Sequence, residues 1–181
     1  MARNVEIKAR VFSLDALQPR VAALAQRGPE LIEQDDTFFH CLHGRLKLRA
    51  LAGGRGELIA YDRPDAPGPK TSSYFIAPTA EPDALRVTLS RALGEAGRVR
   101  KQRVLFLIGR TRVHLDRVDG LGEYLELEVV LRDDEDAACG VEEAHRLLRQ
   151  LGVPLGDLVS GAYVDLLGAA SPARNAPHAE G

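Results

Sequence analysis

Two acidic residues two positions apart, Glu126 and Glu128, and two basic pairs with the same spacing, Lys47 with Arg49 and Lys101 with Arg103, are the residues of this 181-residue chain best placed to do chemistry. Glu6 and Lys8 repeat the spacing near the N-terminus with opposite signs. Carboxylate oxygens suit hard divalent cations such as Mg²⁺ or Mn²⁺, which also bridge substrate phosphates. Lys and Arg suit phosphate oxygens. Spacing of two puts both members of a pair on one face of a β-strand. The chemistry implied is that of a phosphate-rich ligand held by cations and bridged to carboxylates by a divalent metal. His114, between Arg112 and Asp116, could donate a proton, although a polar residue with no catalytic part is the simpler reading.

The elements that must position these residues alternate in polarity. In residues 4–11, Asn4, Glu6, Lys8 and Arg10 take one face and Val5, Ile7, Ala9 and Val11 the other. Residues 45–51 and 57–63 form the arms of a hairpin around Gly53-Gly54, with Glu57, Ile59, Tyr61 and Arg63 sharing a face. A basic, β-rich run covers 98–108, and alternation returns at 111–118 and 124–129. A short strand is expected at 34–39 and another at 74–76. The Pro/Gly-rich segment 64–73 reads as a loop, or as a lid presenting Lys70 to a phosphate.

Amphipathic helices are interspersed. One starts at a Ser13 cap and ends at Gly28-Pro29, one opens at Pro82 and stops at Gly94, one spans 142–151, and a last short one is expected within 155–167. Such helices need an apolar sheet face to pack on. If they cover the apolar face, the charged faces line the inside of a closed sheet, a barrel with a charged lumen. Burying so much charge is costly unless opposite charges or a polyanion compensate it. Tyr61 could then meet a base or sugar, a hydrogen-bonded barrel residue being the commoner case.

Composition sets the frame. Hydrophobic content is 45%, charged content 28% and net charge -2, which gives no global attraction to nucleic acid or anionic lipid. No apolar run is long enough to span a membrane, and no signal-peptide core precedes the first charges, so a cytoplasmic location is expected. One domain is expected over 1–168, with a flexible tail over 169–181. Cys41 and Cys139 lie in no paired motif and read as small, partly buried residues; His40, Cys41 and His43 lack the second ligand cluster a structural metal site needs.

These residues resemble the CYTH superfamily, the triphosphate tunnel metalloenzymes, which include class IV adenylyl cyclases and thiamine triphosphatases. The family's N-terminal Glu-x-Glu-x-Lys is similar to Asn4-Val5-Glu6-Ile7-Lys8. Its Lys-x-Arg strand is matched by Lys47-Leu48-Arg49, its late basic strand by Lys101-Gln102-Arg103, and its Asp, Gly-turn, Glu-x-Glu block by Asp116, Gly120-Leu121-Gly122 and Glu126-Leu127-Glu128. Asp36-Thr37-Phe38-Phe39 and the closing segment 161–167 also look like family segments, the latter nearer the cyclase-like branch. The resemblance runs from about residue 3 to 167.

It implies an α+β fold, an eight-stranded antiparallel β-barrel with helices packed on its outside. It implies that Lys8, Lys47, Arg49, Lys101, Arg103 and Arg112 hold phosphate oxygens, with Arg63 and Lys70 as further candidates. Glu6, Glu126 and Glu128 would bind Mg²⁺ or Mn²⁺, Asp116 would orient metal or a basic side chain, and Glu57 could assist. Lys8, Lys101, Arg103 and Asp116 form the implied catalytic group. The implied substrate is ATP, thiamine triphosphate or inorganic triphosphate, acted on by a monomer or homodimer with no nucleic-acid or membrane partner. Cyclisation of ATP, hydrolysis of a triphosphate, and non-catalytic binding of a polyphosphate or nucleotide all remain open. Asn4 stands where the family has its first Glu; an amide oxygen can ligate a hard cation but supplies no charge.

Overall fold

Alternation of apolar and charged residues becomes, in the folded chain, strands with two unlike faces. The computed structural model describes residues 2–62 and 69–170, with Ala2 and Lys70 as backbone only. The strands are β1 (Ala2–Arg10), β2 (Arg27–Phe39), β3 (Arg45–Leu51), β4 (Arg55–Asp62), β5 (Lys70–Thr79), β6 (Glu95–Ile108), β7 (Thr111–Val118) and β8 (Gly122–Val130). The helices are α1 (Leu14–Leu24), α2 (Pro82–Leu93), α3 (Ala137–Leu151) and α4 (Tyr163–Ala170). All the strand pairings are antiparallel, and the sheet closes in the order β1-β5-β4-β3-β2-β6-β7-β8. This is the expected α+β barrel.

The main apolar core lies outside the barrel wall. Val5, Ile7 and Ala9 of β1, Val113 and Leu115 of β7, and Leu125, Leu127 and Val129 of β8 turn outward to meet Leu14, Leu17 and Val21 of α1 and Leu147, Leu148 and Leu151 of α3. Each of the Val, Leu and Ile side chains contributes about 1.5–3 kcal/mol when fully buried. The approach is close: a Cβ on Gly140 of α3 would lie 2.8 Å from Val5 and from Leu131. The Ser13 side chain accepts from the Ala16 N–H to cap α1, Asp136 caps α3, and Gly152 ends α3 in the left-handed conformation. A second apolar cluster of Phe38, Val99, Val118, Tyr124 and Tyr163 seats the start of α4 at one end of the barrel. On the other side, α2 fully buries only Pro82.

Five local expectations are corrected. Gly28-Pro29 does not end α1, which stops at Leu24; it lies inside β2, at a register irregularity between Arg27 and Glu30 opposite β6. Gly28 has φ +110, and a Cβ there would meet the Leu105 carbonyl at 2.7 Å, so glycine is required by the strand rather than by a helix end. Lys70–Ser73 is not loop: β5 begins at Lys70 and pairs with β1, Glu6 opposite Lys70. The expected C-terminal helix is split into a 3₁₀ turn at Leu155–Asp157 and α4, because Gly161 turns with φ +87 and Asp165 accepts from the Ala162 N–H. Cys41 and Cys139 are exposed rather than partly buried. No helix among the described residues is long and apolar enough to cross a membrane. Of the expected tail over 169–181, Ala169 and Ala170 instead belong to α4, and residues 171–181 lie outside the described residues.

Candidate active site

With apolar residues turned outward, the charged residues of the same strands face the lumen. Lys8, Lys47, Arg49, Lys101, Arg103 and Arg112 line one cavity of about 220 Å³ together with Glu6, Glu126 and Glu128. Asn4, Asp36, Ser72 and Tyr163 share it. Antiparallel register places opposite charges side by side: Lys8 faces Glu126 across β1 and β8, Arg103 faces Asp116 across β6 and β7, and Asp36 faces Arg49 across β2 and β3.

Asp116 is fully buried and holds one basic pair. It accepts from Arg103 Nε at 2.7 Å on Oδ1, and on Oδ2 from Arg103 Nη2 at 2.7 Å, Lys101 Nζ at 2.9 Å and the Tyr163 hydroxyl at 3.0 Å. Burial alone would raise the Asp116 carboxyl, but Arg103 and Lys101 outweigh it and hold the group well below the ordinary carboxylate range. The Tyr163 ring lies 4.0 Å from Lys8 Nζ and 4.9 Å from Lys101 Nζ, and burial beside Asp116 pushes its phenol well up. Asp36 holds the other pair, accepting from Lys47 at 2.7 Å and from Arg49 at 2.9 and 3.1 Å. Burial, then Arg49, lowers the Lys47 ammonium to about 8 despite the attraction of Asp36.

Opposite these cations is the acidic wall. Glu126 accepts from Arg103 at 3.0 Å, lies 3.4 Å from Lys8, and meets His114 Nδ1 at 3.2 Å. Burial disfavours its charge, yet Lys8, Arg103 and His114 hold it well below the ordinary range. Glu128 is 3.5 Å from Arg112 and 3.9 Å from His114. Glu6 and Glu128 stand directly opposite each other across β1 and β8, with Lys8 3.9 Å from Glu6 and Arg112 beside Glu128 offsetting the like charges. One ligand atom each from His114, Glu126 and Glu128 lie within 4.8 Å of one another, and the buried Asn4 Oδ1 on the same lumen wall has no hydrogen-bond partner. Carboxylates with one imidazole and one amide oxygen fit a divalent cation of the Mg²⁺ or Mn²⁺ class.

Nine of the side chains picked from the sequence therefore meet in one lumen. Asp116 does not border the cavity; it stands behind Lys101 and Arg103 and orients them. Glu57 is 4.0 Å from Arg49, outside the cavity lining. Arg63 and the Lys70 side chain lie outside the described residues. Sequence reasoning missed the role of Asp36, whose partners are set by register, and that of Tyr163, which closes the site from the far end of the chain. It also gave His114 no place in the cation site. Its position two residues from both Arg112 and Asp116 on one strand face was the available signal.

The CYTH domain family model matches residues 2–163. No curated protein sequence matches the chain. Among solved structures, the chain is similar to the PH1012 protein of Pyrococcus horikoshii, with 20% identity, a TM-score of 0.79, and 90% of this chain and 98% of that one covered. It is similar to a Vibrio parahaemolyticus protein of suggested adenylate cyclase activity, with 21% identity, a TM-score of 0.73, and 91% and 97% covered. It is also similar to HpAC1 of Hippeastrum, a suggested adenylyl cyclase described as having a dominant triphosphatase activity, with 18% identity, a TM-score of 0.61, and 83% and 89% covered.

Proposed function

Because this chain belongs to the CYTH domain family, we propose that it is a metal-dependent enzyme that takes a triphosphate into the barrel lumen and, like a class IV adenylyl cyclase, converts ATP to cyclic AMP and pyrophosphate. The observation that carries this reading is the lumen itself, where six Lys and Arg side chains and three Glu side chains converge on one cavity.

The reaction forms a bond from the ribose 3′-oxygen to the α-phosphorus, breaks the bond from that phosphorus to the bridging oxygen, and releases a proton and pyrophosphate. Lys47, Arg49, Lys101, Arg103 and Arg112 hold phosphate oxygens and neutralise charge that grows on the leaving group. Asp36 and Asp116 hold four of these cations at the lumen through hydrogen bonds before the substrate enters. Glu6, Glu126 and Glu128, with His114 and Asn4 beside them, would hold Mg²⁺ or Mn²⁺. The cation, when bound, polarises phosphoryl oxygen and lowers the pKa of a bound nucleophile. Glu126, held ionised by Lys8 and Arg103, is a weak proton acceptor. Glu128, 3.5 Å from Arg112 and 3.9 Å from His114 and more exposed than Glu126, is the better placed of the two to accept the proton.

Hydrolysis, with water attacking the terminal phosphorus, is the second reading. It needs the same cations and is favoured by the triphosphatase activity named for HpAC1, which shares this fold. Incubating the purified protein with ATP and Mg²⁺ or Mn²⁺ tests both. Cyclic AMP with pyrophosphate is the expected product. Orthophosphate alone selects hydrolysis, binding without turnover leaves a binding module, and absence of binding by every triphosphate tested overturns the reading.

A further inference from the structure

Lys8 and Lys101 both reach the lumen, yet the strands that carry them, β1 and β6, are not neighbours in the barrel; β7 and β8 stand between them. No strand register therefore sets one ammonium against the other. A single ring meets both. The Tyr163 centroid lies 4.0 Å from Lys8 Nζ and 4.9 Å from Lys101 Nζ. The Tyr163 hydroxyl donates to Asp116, which also accepts from Lys101.

The ring is fixed from several sides. The chain just before it is tied to β1: the Val159 N–H donates to the Lys8 carbonyl at 2.9 Å, Leu158 bridges to Ala9, and Lys8 Nζ donates to the Gly161 carbonyl at 3.5 Å. The chain just after it is seated on β6 and β3. Val164 occupies the space where Gly97 has no side chain, since a Cβ there would lie 2.5 Å from it, and Asp165 pairs with Arg45 at 2.9 Å. The Tyr124 ring meets Tyr163 edge-on at 5.1 Å.

An aromatic face does here what another carboxylate could not. A carboxylate attracts an ammonium and cancels its charge. A ring attracts it through its quadrupole and leaves the net charge to act on phosphate. Lys8 already has Glu126 at 3.4 Å and Glu6 at 3.9 Å, and Lys101 has Asp116 at 2.9 Å. One more anion between them would repel a phosphate chain. Burial beside Asp116 keeps the phenol protonated, so Tyr163 adds no such charge.

We infer that Tyr163 is a positioning residue whose ring, rather than its hydroxyl, presents Lys8 and Lys101 together to the phosphate chain, a role that rests on the triphosphate reading of the lumen. Removing the ring leaves every charge of the lumen in place. Attraction for a polyanion should then persist while the alignment that the reaction needs is lost.

The test compares the unmodified protein with Tyr163→Phe and Tyr163→Leu. Tyr163→Leu is expected to lower kcat for ATP with Mg²⁺ or Mn²⁺ at least about tenfold. Its calorimetric affinity for the β,γ-imido analogue of ATP is expected to change less than about threefold. Tyr163→Phe keeps the ring and is expected to retain kcat within about threefold of the unmodified protein. A further readout needs no turnover. The chain has four lysines, Lys8, Lys47, Lys70 and Lys101, so NMR of protein labelled with ¹³C at the lysine ε-carbon gives a spectrum simple enough to assign by single Lys→Arg replacements. The Tyr163 ring current displaces the Lys8 and Lys101 signals, and that displacement is expected to survive in Tyr163→Phe and vanish in Tyr163→Leu. Equal kcat in all three proteins, an equal loss in both variants, or an affinity loss matching the kcat loss in Tyr163→Leu overturns the role, as do Lys8 and Lys101 signals that ignore Tyr163→Leu. If the unmodified protein turns over no triphosphate, the enzyme reading itself falls and takes this role with it.

Discussion

Asp36 and Asp116 solve the same problem in two places and solve it differently. Each takes an Arg Nε on Oδ1, and an Arg Nη2 and a Lys Nζ on Oδ2, and in each case the Lys and Arg come from alternate positions of a neighbouring strand. The β6/β7 clamp is sealed: Asp116 also accepts from Tyr163, and Arg103 continues to Glu126. The β2/β3 clamp is looser, with Lys47 and Arg49 side chains 15% and 17% exposed against 5% and 6% for Lys101 and Arg103. Desolvation decides what the difference means. Cations that water can still reach are rehydrated when their carboxylate is lost, whereas sealed ones are not. The Asp116 clamp is therefore a fixed part of the fold, and the Asp36 clamp is the one that adjusts to a ligand.

The comparison breaks most readily at Asp116. Asp116→Asn leaves two buried cations short of a counter-charge and is expected to cost about 3–5 kcal/mol in urea-unfolding free energy. Asp36→Asn is expected to cost about 1–3 kcal/mol, since its partners can turn to water. Equal costs would end the distinction. Tyr163→Phe removes one donor from a carboxylate that keeps its other partners, a loss of about 1 kcal/mol confined to the sealed clamp. If Tyr163→Phe in the Asp36→Asn background shows strong coupling instead of simple addition, the two clamps are not independent.

The smallest effects come with pH. Lys47, at about 8 when folded, lies below its ordinary value near 10.4 when unfolded. Between those values the folded chain holds fewer protons than the unfolded one, so this group makes the fold more stable as pH rises. Triphosphate affinity should move the other way, falling several-fold as the pH passes about 8. Lys47→Arg should flatten that calorimetric profile. Asp36, Asp116 and Glu126 are all held below their ordinary values. Their contribution is complete above about pH 5 and declines as acid carries them towards their folded values.

Much of this site was legible because alternation with period two is a local signal. Glu6, Lys8, Lys47, Arg49, Lys101, Arg103, Glu126 and Glu128 could be put on polar strand faces without knowing any neighbour. What could not be read was pairing. Asp36 meets Arg49 only because β2 and β3 adopt that register, and Tyr163 reaches Asp116 only because α4 starts beside the lumen. β2 was read too short because Gly28-Pro29 carries the local signature of a helix stop, while the constraint that fixes it is the Leu105 carbonyl on another strand. Ile59 and Tyr61 could be put on one face with Glu57 and Arg63, but their neighbours Ile76 and Tyr74 waited on the pairing of β4 with β5.

The one-sided placement of the apolar core bears on how the protein opens. Strands β1, β7 and β8 are clamped between α1, α3 and the lumen charges, whereas Ala60, Phe75 and Ala77 on the outer face of β4 and β5 are exposed. Local unfolding draws on regions with few buried apolar contacts. Backbone amides of β4 and β5 are thus expected to exchange with deuterium through sub-global fluctuations, well before those of β7 and β8. The barrel would then be a closed ring with a built-in soft sector.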